Sequence, residues 1–307
     1  MLIRAVDGGG TGFRRADICG TKVVDCAVIR GAPKSVSELM RFVKKGLPKD
    51  CSGISYAVAG IIENNDTFVN SPNIHFLDGV SLATETTKAT GLPSGVFNDM
   101  EAAVTGMATL LPNENYFMGI TWSSGIGLRI WNNGKILSTA EGGHCMLDPS
   151  PFAPLCGCGK RGHAEGILSG KAIAKRVMGE TQSLNIALPD NIDPCKFLDK
   201  CYGARKAWAV ELYDVISHGM GIFLANIQSV LHLPLIVWKG SVALYALKLI
   251  EHRIRHYMKL HIIDPSWAEK RNLRFVLSPE PEFDSLIGAA ALLEPTVKNV
   301  ICDLIKE

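Results

Sequence analysis

The sequence predicts an α/β protein built from two halves. Short apolar strands alternate with amphipathic helical segments along the chain. A glycine-rich turn follows a strand once in each half, at Gly8-Gly9-Gly10 and at Ser123-Ser124-Gly125. A chain of 307 residues that is 47% apolar is about twice the size of an ordinary domain and can bury a sizeable core.

Leu2–Val6 is an apolar strand broken by Gly8-Gly9-Gly10, and Arg14–Cys19 and Lys22–Arg30 continue a hairpin meander around Gly20. Val36, Leu39, Met40 and Val43 share one face of a helix over Ser35–Gly46, which leads to a strand at Gly53–Val58. A helix over Ser81–Thr90, a strand at Gly95–Phe97 and a helix over Met100–Leu111 complete the first half. The halves meet near Leu111–Tyr116. Strands at Tyr116–Thr121 and Ile126–Trp131 follow, and Asn132-Asn133-Gly134 turns the chain into Lys135–Ser138. Cys145–Gly162 holds three prolines and several glycines and reads as a long loop of the kind that carries function. Helices over about Ile167–Met178 and Ala204–Leu231, a strand at Pro234–Trp238, a helix over Val242–Lys259, a strand at Leu273–Leu277 and closing helices from about Phe283 end the chain.

Composition removes several classes of function. With 32 Lys plus Arg against 30 Asp plus Glu, a net charge of +2 provides no broad basic face for nucleic acid or an anionic membrane. The longest apolar runs, such as Leu231–Trp238, fall short of a bilayer span. The start MLIRAVDGGG does not read as a signal peptide, so a reducing cytoplasm is the expected setting. There, clustered cysteines point to a metal or a reactive thiol, and scattered ones such as Cys19, Cys26, Cys51 and Cys302 are expected to pack as small core residues.

Four constellations carry chemistry. At Asp7-Gly8-Gly9-Gly10-Thr11 the glycines let backbone N–H groups approach an anion, and Asp7 suits a magnesium-bound water. The same residues also fit an ordinary Gly-rich hairpin. Ser123-Ser124-Gly125-Ile126-Gly127 repeats the device in the second half, which suggests a nucleotide held by two phosphate-facing turns. Asn98-Asp99 follows a strand and opens a helix. It reads either as an N-cap or as a general base at the C-terminal end of a strand. His144 with Cys156, Cys158 and His163 offers two imidazoles and two thiolates within twenty residues, a donor set for tetrahedral zinc. Cys145 competes as a ligand, and a metal-free Pro/Gly loop is the alternative. Glu141 and Glu165 bracket this cluster as polar contacts for a substrate.

In order along the chain, Val6–Thr11 (VDGGGT), Val58–Gly60 (VAG), Asn70–Asn73 (NSPN), Phe97–Asp99 (FND), Ser123–Gly127 (SSGIG), Glu141–His144 (EGGH) and Cys156–Glu165 (CGCGKRGHAE) resemble the ROK sugar kinases. The resemblance implies a two-domain actin-like ATPase fold, of the ribonuclease H-like and hexokinase type, with an interdomain cleft. The smaller lobe would span 1–115, joined by a C-terminal helix near 295–307, and the larger lobe 116–294. It implies an ATP- and Mg²⁺-dependent kinase for a hexose or N-acetylhexosamine, acting at the 6-hydroxyl, with structural Zn²⁺ and a homodimeric assembly. Asp99 would be the base. Asn98, Asp99, Glu141, His144, Glu165, Gly60 and Asn70 would contact the sugar, and His144, Cys156, Cys158 and His163 would hold zinc, His163 replacing a third Cys. Asp7, Gly9, Gly10, Thr11, Gly12, Ser124, Gly125, Gly127 and Gly240 would surround the nucleotide. The family also contains repressors and admits a catalytically degenerate sugar binder. The departures are Gly12 after the Thr, Ala59 for Pro, Ser123-Ser124 for Gly-Thr, Met107 for Glu, and Lys239-Gly240-Ser241 with one glycine of a pair lost.

Overall fold

The computed structural model describes all residues except Thr11, Pro72, Asn73, 138–140, 264–272 and Glu307. The chain divides into two compact units, one of residues 1–115, 130–139 and 279–307, the other of 116–129 and 140–278. These ranges differ from the expected lobes in two places: 130–139, expected in the larger lobe, clusters with the first unit, and so does everything from Pro279 onward instead of from 295.

In the first unit, β1 (Leu2–Gly9), β2 (Gly12–Cys19) and β3 (Lys22–Arg30) form an antiparallel meander, and β4 (Cys51–Val58) and β7 (Ser94–Asn98) extend it in parallel, giving the order β3-β2-β1-β4-β7. A small hairpin, β5 (Ile61–Glu63) with β6 (Thr67–Asn70), lies outside the expected elements. β1 continues through Gly8 and Gly9 instead of breaking there. Gly8 faces Phe13, whose ring would lie 2.2 Å from a Cβ at that position, so glycine is required inside the strand.

Val6, Phe13, Ile54 and Tyr56 form one core on the sheet with Leu39, Phe42 and Val43 of α1 (Val36–Lys44) and with Leu82 of α2 (Leu82–Thr90). Ile3, Ala5, Ala16 and Ala57 form a second core with Ala102 of α3 (Asp99–Leu110) and with Leu286, Ile287 and Leu293 of the final helix, Asp284–Lys306. β4 is buried on both faces, every residue but Ser52 being buried, and Ser55 satisfies its hydroxyl by donating to the Ala289 carbonyl. Arg4 is fully buried. Its guanidinium forks onto Asp17 at 2.7 and 2.8 Å and donates to the carbonyls of Val43, Lys45 and Gly46, fastening the end of α1 to the sheet.

The final helix, α9 below, fixes α3, the helix that carries Asp99. A Cβ on Gly288 would stand 1.7 Å from the Ala102 carbonyl oxygen, and one on Gly106 would stand 1.9 Å from that of Asp284. The two backbones therefore meet with no side chain between them. Gly288→Val should destabilise the protein by about 1–3 kcal/mol, read as an earlier midpoint in urea unfolding; an unchanged midpoint would show that the helices can separate at no cost.

The second sheet has the order β10-β9-β8-β11-β12, from β8 (Tyr116–Trp122), β9 (Ile126–Asn132), β10 (Lys135–Ile136), β11 (Leu235–Lys239) and β12 (Arg274–Leu277), with β11 parallel to β8 and β12. Asn133 and Gly134, both at positive φ, make the tight turn that the Asn-Gly pair predicts. Trp122 and Trp238, both fully buried, meet at a tilt of 49° with ring centroids 5.9 Å apart.

The helix expected over about Ile167–Met178 is two, α4 (Ala164–Leu168) and α5 (Gly170–Ser183), because Ser169 leaves the helical conformation and caps α5 through Ala172 N. A further helix, α6 (Pro194–Gly203), precedes α7 (Ala207–Leu231), and α8 is Ser241–His261. α9 runs through Pro295 as one helix instead of several. Cys51 is buried as expected, whereas Cys19 and Cys26 are exposed; Cys302 lies where side chains are not described. No described helix is long and apolar enough to cross a membrane.

Candidate active site and metal centre

β4 and β7 run parallel with Val58 beside Asn98, so the loops at their C-terminal ends emerge together. Asn98 is the N-cap of α3: its Oδ1 accepts from Met100 N at 3.0 Å and Glu101 N at 3.3 Å, and its Nδ2 donates to the Gly60 carbonyl at 3.1 Å. The capping reading of Asn98-Asp99 falls to Asn98. Asn98 caps, and Asp99, the first residue of the helix, presents a half-buried carboxylate whose Oδ1 accepts from Met100 N at 2.9 Å. A helix N-terminus favours negative charge there. Gly60 fits closely under β6, where a Cβ would lie 2.8 Å from the Asn70 carbonyl; Asn70 itself is exposed at the end of β6.

In the first glycine-rich hairpin, Gly9 pairs with Gly12, and the Cβ position of Gly9 faces open space. Gly10 is exposed, and a Cβ on Gly12 would meet the Ile29 carbonyl at 2.6 Å; Thr11 lies outside the described residues. Asp7 has a partner the sequence reading did not assign: Arg14, its cross-strand neighbour, donates to Asp7 Oδ2 at 2.5 Å. Burial works against the Arg14 charge, but Asp7 prevails and raises the guanidinium above its usual value.

The second hairpin, Ser123-Ser124-Gly125, joins β8 to β9 and is held from two sides. Gly170 N donates to the Ser123 carbonyl at 2.7 Å, and Glu165 Oε2 accepts from Ile126 N at 3.0 Å. Gly125 leaves room for that carboxylate, which a Cβ would approach to 2.7 Å. Gly127 is buried in β9. Gly240 opens α8 at φ +99°, with a Cβ position 2.6 Å from the Trp122 carbonyl, so this approach also requires glycine.

Next to these turns is a cavity of about 350 Å³, lined among others by Ser124, Lys171, Lys196, Asp199, Ser241 and Tyr245. Lys196 sits over the Tyr245 ring at 5.2 Å, and Tyr213 donates its hydroxyl to Asp199. Burial raises the Asp199 carboxyl, and burial with Asp193 and Asp199 nearby pushes the Cys195 thiol up to about 12. The sequence reading missed this wall because it placed no helix at α6. The signal was Asp193-Pro194, an N-cap followed by proline in the first turn; Asp193 accepts from Cys195 N and Lys196 N.

His144, Cys156, Cys158 and His163 come together, one ligand atom of each lying within 4.8 Å of all the others. His144 Nδ1 is 3.6 Å from Cys156 Sγ, His163 Nδ1 is 3.2 Å from Cys158 Sγ, and the two imidazoles meet edge to face at 5.3 Å. Zinc bonds of about 2.0–2.3 Å in tetrahedral array place ligand atoms about 3.3–3.8 Å apart, so this donor set fits zinc. The loop is ordered by its backbone: Met146 bridges His163, Leu155 bridges Arg161, and Ala164 N donates to the Cys145 carbonyl. Gly162 sits at φ +75°, and a Cβ there would strike the Asp148 carbonyl at 1.8 Å, so conformation and space both require glycine. Cys145 is exposed and is not part of the group.

Cys156 is buried, which pushes its thiol up, and its Sγ lies 3.7 Å from Glu165 Oε1. Glu165 therefore joins the candidate metal loop to the second glycine turn through its two oxygens. Glu141 is mostly exposed and receives Arg129 at 3.1 Å.

A profile of the ROK family matches residues 4–295. An N-acetylmannosamine kinase of Haemophilus influenzae is 27% identical over 283 residues, covering 88% of this chain and 91% of that protein. One from Citrobacter koseri is 30% identical over 154 residues, where the match spans 48% of this chain and only 52% of its relative. A ROK glucokinase from Streptomyces griseus, solved with glucose and AMPPNP, superposes with a TM-score of 0.77 at 21% identity, covering 95% of this chain and 99% of that one. The α/β architecture is therefore that of actin-like ATPases, and with nearly its whole length matched, the chain belongs to the ROK family.

Proposed function

We propose that the protein is an ATP-dependent carbohydrate kinase that phosphorylates a hexose or N-acetylhexosamine at its 6-hydroxyl, with Asp99 as general base. The observation that carries this reading is the start of α3, where Asn98 caps the helix and Asp99, its first residue, stands half-buried at the C-terminal end of β7. N-acetylmannosamine is the first acceptor to test, because the relative aligned over most of its length bears that name.

In this mechanism Asp99 accepts the proton of the sugar hydroxyl as that oxygen attacks the γ-phosphorus of ATP. Mg²⁺, arriving with ATP, would supply charge neutralisation at the phosphates, with Asp7 the residue placed to hold it. Asp7, paired with Arg14, would hold a magnesium-bound water. The glycine turns at Gly9, Gly10 and Gly12 and at Ser124, Gly125 and Gly127 each suit a phosphate, and the cavity beside Ser124 and Ser241 would receive the nucleoside. Glu141, His144 and Glu165 contact the sugar hydroxyls. His144, Cys156, Cys158 and His163 would hold zinc, which would fix the side chains of His144 and Glu165 on the backbone-bridged loop.

A sugar-binding protein without kinase activity is the second reading, favoured by Gly12, Ser123-Ser124 and the single Gly240 in the phosphate turns. Calorimetry separates the two. The kinase reading expects both ATP·Mg²⁺ and sugar to bind; sugar binding without nucleotide binding supports the second.

A further inference from the structure

Away from these residues, α7 and α8 share a line of polar contacts. Arg253 donates to Asp214 Oδ1 at 2.6 Å and Tyr257 to Asp214 Oδ2 at 2.7 Å, so both carboxylate oxygens are engaged. One turn further along each helix, four residues on from Asp214 and from Tyr257, stand His218 and His261. The Tyr257 ring lies 4.6 Å from the His218 imidazole at 33° and orients it. The two Nε2 atoms are 3.2 Å apart, and the imidazole planes, with centroids 5.4 Å apart, are tilted by only 21°.

Two imidazoles facing each other through Nε2 can share a proton or a metal ion. With metal–nitrogen bonds of about 2.0–2.1 Å at a tetrahedral angle, two ligand nitrogens stand about 3.3–3.4 Å apart. The pair is therefore spaced for a common ion after a small rotation of the rings, with no movement of the helices. Two further features favour the ion. His261 is the last residue of α8, where the unpaired carbonyls and the helix dipole attract positive charge, and both imidazoles are exposed, so an ion and its waters have access.

We propose that His218 and His261 form a transition-metal site separate from the His144/Cys156/Cys158/His163 group, taking a borderline divalent ion such as Zn²⁺, Ni²⁺ or Cu²⁺. Imidazole suits these ions, whereas Mg²⁺ and Ca²⁺ require oxygen ligands. Among the described residues no third Cys, His, Asp or Glu closes on the pair, so water completes the coordination. The ion would clamp the last turn of α8 to the middle of α7, and because the unfolded chain lacks the site, it stabilises the folded state.

The test is calorimetric titration of the intact protein, desalted after purification, with Ni²⁺ and separately with Zn²⁺, alongside His218→Ala and His261→Ala. The wild type should take one ion per chain beyond its as-purified content and melt at a higher temperature in saturating Ni²⁺. Each variant should lose both effects and keep its as-purified metal content. This difference depends neither on whether the cysteine site is filled nor on the kinase reading. Should alanine disturb the fold, His218→Gln with an unchanged metal-free melting temperature replaces it. Equal uptake by wild type and variants, or no extra uptake by the wild type, would overturn the proposal and leave a hydrogen bond between the two rings.

Discussion

Asp99→Asn should reduce the rate of phosphoryl transfer by about 10²–10⁴-fold, the range expected when a positioned general base is lost. Asparagine is nearly isosteric, and its carbonyl oxygen can still accept from Met100 N as Asp99 Oδ1 does. Asn98 remains the cap of α3, so the helix should form as before. The substitution therefore separates chemistry from folding: kcat should fall while the sugar dissociation constant and the unfolding midpoint stay close to wild type. Retained turnover in an assay coupled to ADP release would remove Asp99 as the base. Loss of turnover together with loss of sugar binding would indicate a binding role instead.

The second large effect concerns the candidate zinc loop. Cys156→Ser should lower the metal content from about one ion per chain to near zero, because a buried hydroxyl is a poor substitute for a thiolate in a tetrahedral sulfur and nitrogen site. In small domains that fold around zinc the metal supplies about 10–16 kcal/mol. Here the loop keeps its own backbone bridges, Met146 to His163 and Leu155 to Arg161, so the protein should remain folded. What should be lost is the placement of His144 and of Glu165, whose Oε1 lies beside Cys156 Sγ and whose Oε2 holds Ile126 N. Sugar affinity should fall with the metal, and removal of the metal by a chelator should do the same. Cys145→Ser serves as the control, expected to keep both, since Cys145 stands outside the group. Elemental analysis with sugar calorimetry reads all three, and a zinc-free preparation of full affinity and activity would refute the assignment.

What could be read from the chain differed with the range of the physics involved. The hairpin at Asn133-Gly134, the cap at Ser35 and the cap at Asn98 are local devices, and each appears where its residues indicate. The grouping of His144, Cys156, Cys158 and His163 was legible because the four lie within twenty residues of sequence. Gly8 was misread as a break because nothing nearby in sequence shows that the Phe13 ring covers it. The fully buried Arg4 looks like a polar interruption of a strand until Asp17 and three carbonyls of a different element converge on it. Residues 130–139 were assigned by chain order, although they cluster with the first unit. The cavity beside Ser124 and Ser241 was invisible for another reason: the cap signal at Asp193-Pro194 was present, but a short helix without strong apolar periodicity does not stand out between longer ones.

The measurement that bears most directly on the central claim is a phosphorylation screen with ATP·Mg²⁺ as donor and N-acetylmannosamine, N-acetylglucosamine and glucose as acceptors, followed by phosphorus NMR. A sugar 6-phosphate should appear in step with ADP for at least one of these acceptors, and neither product should form with Asp99→Asn. Tight binding of sugar and nucleotide with no phosphorylated sugar from any acceptor would contradict the kinase assignment and leave the protein as a sugar-binding member of its family.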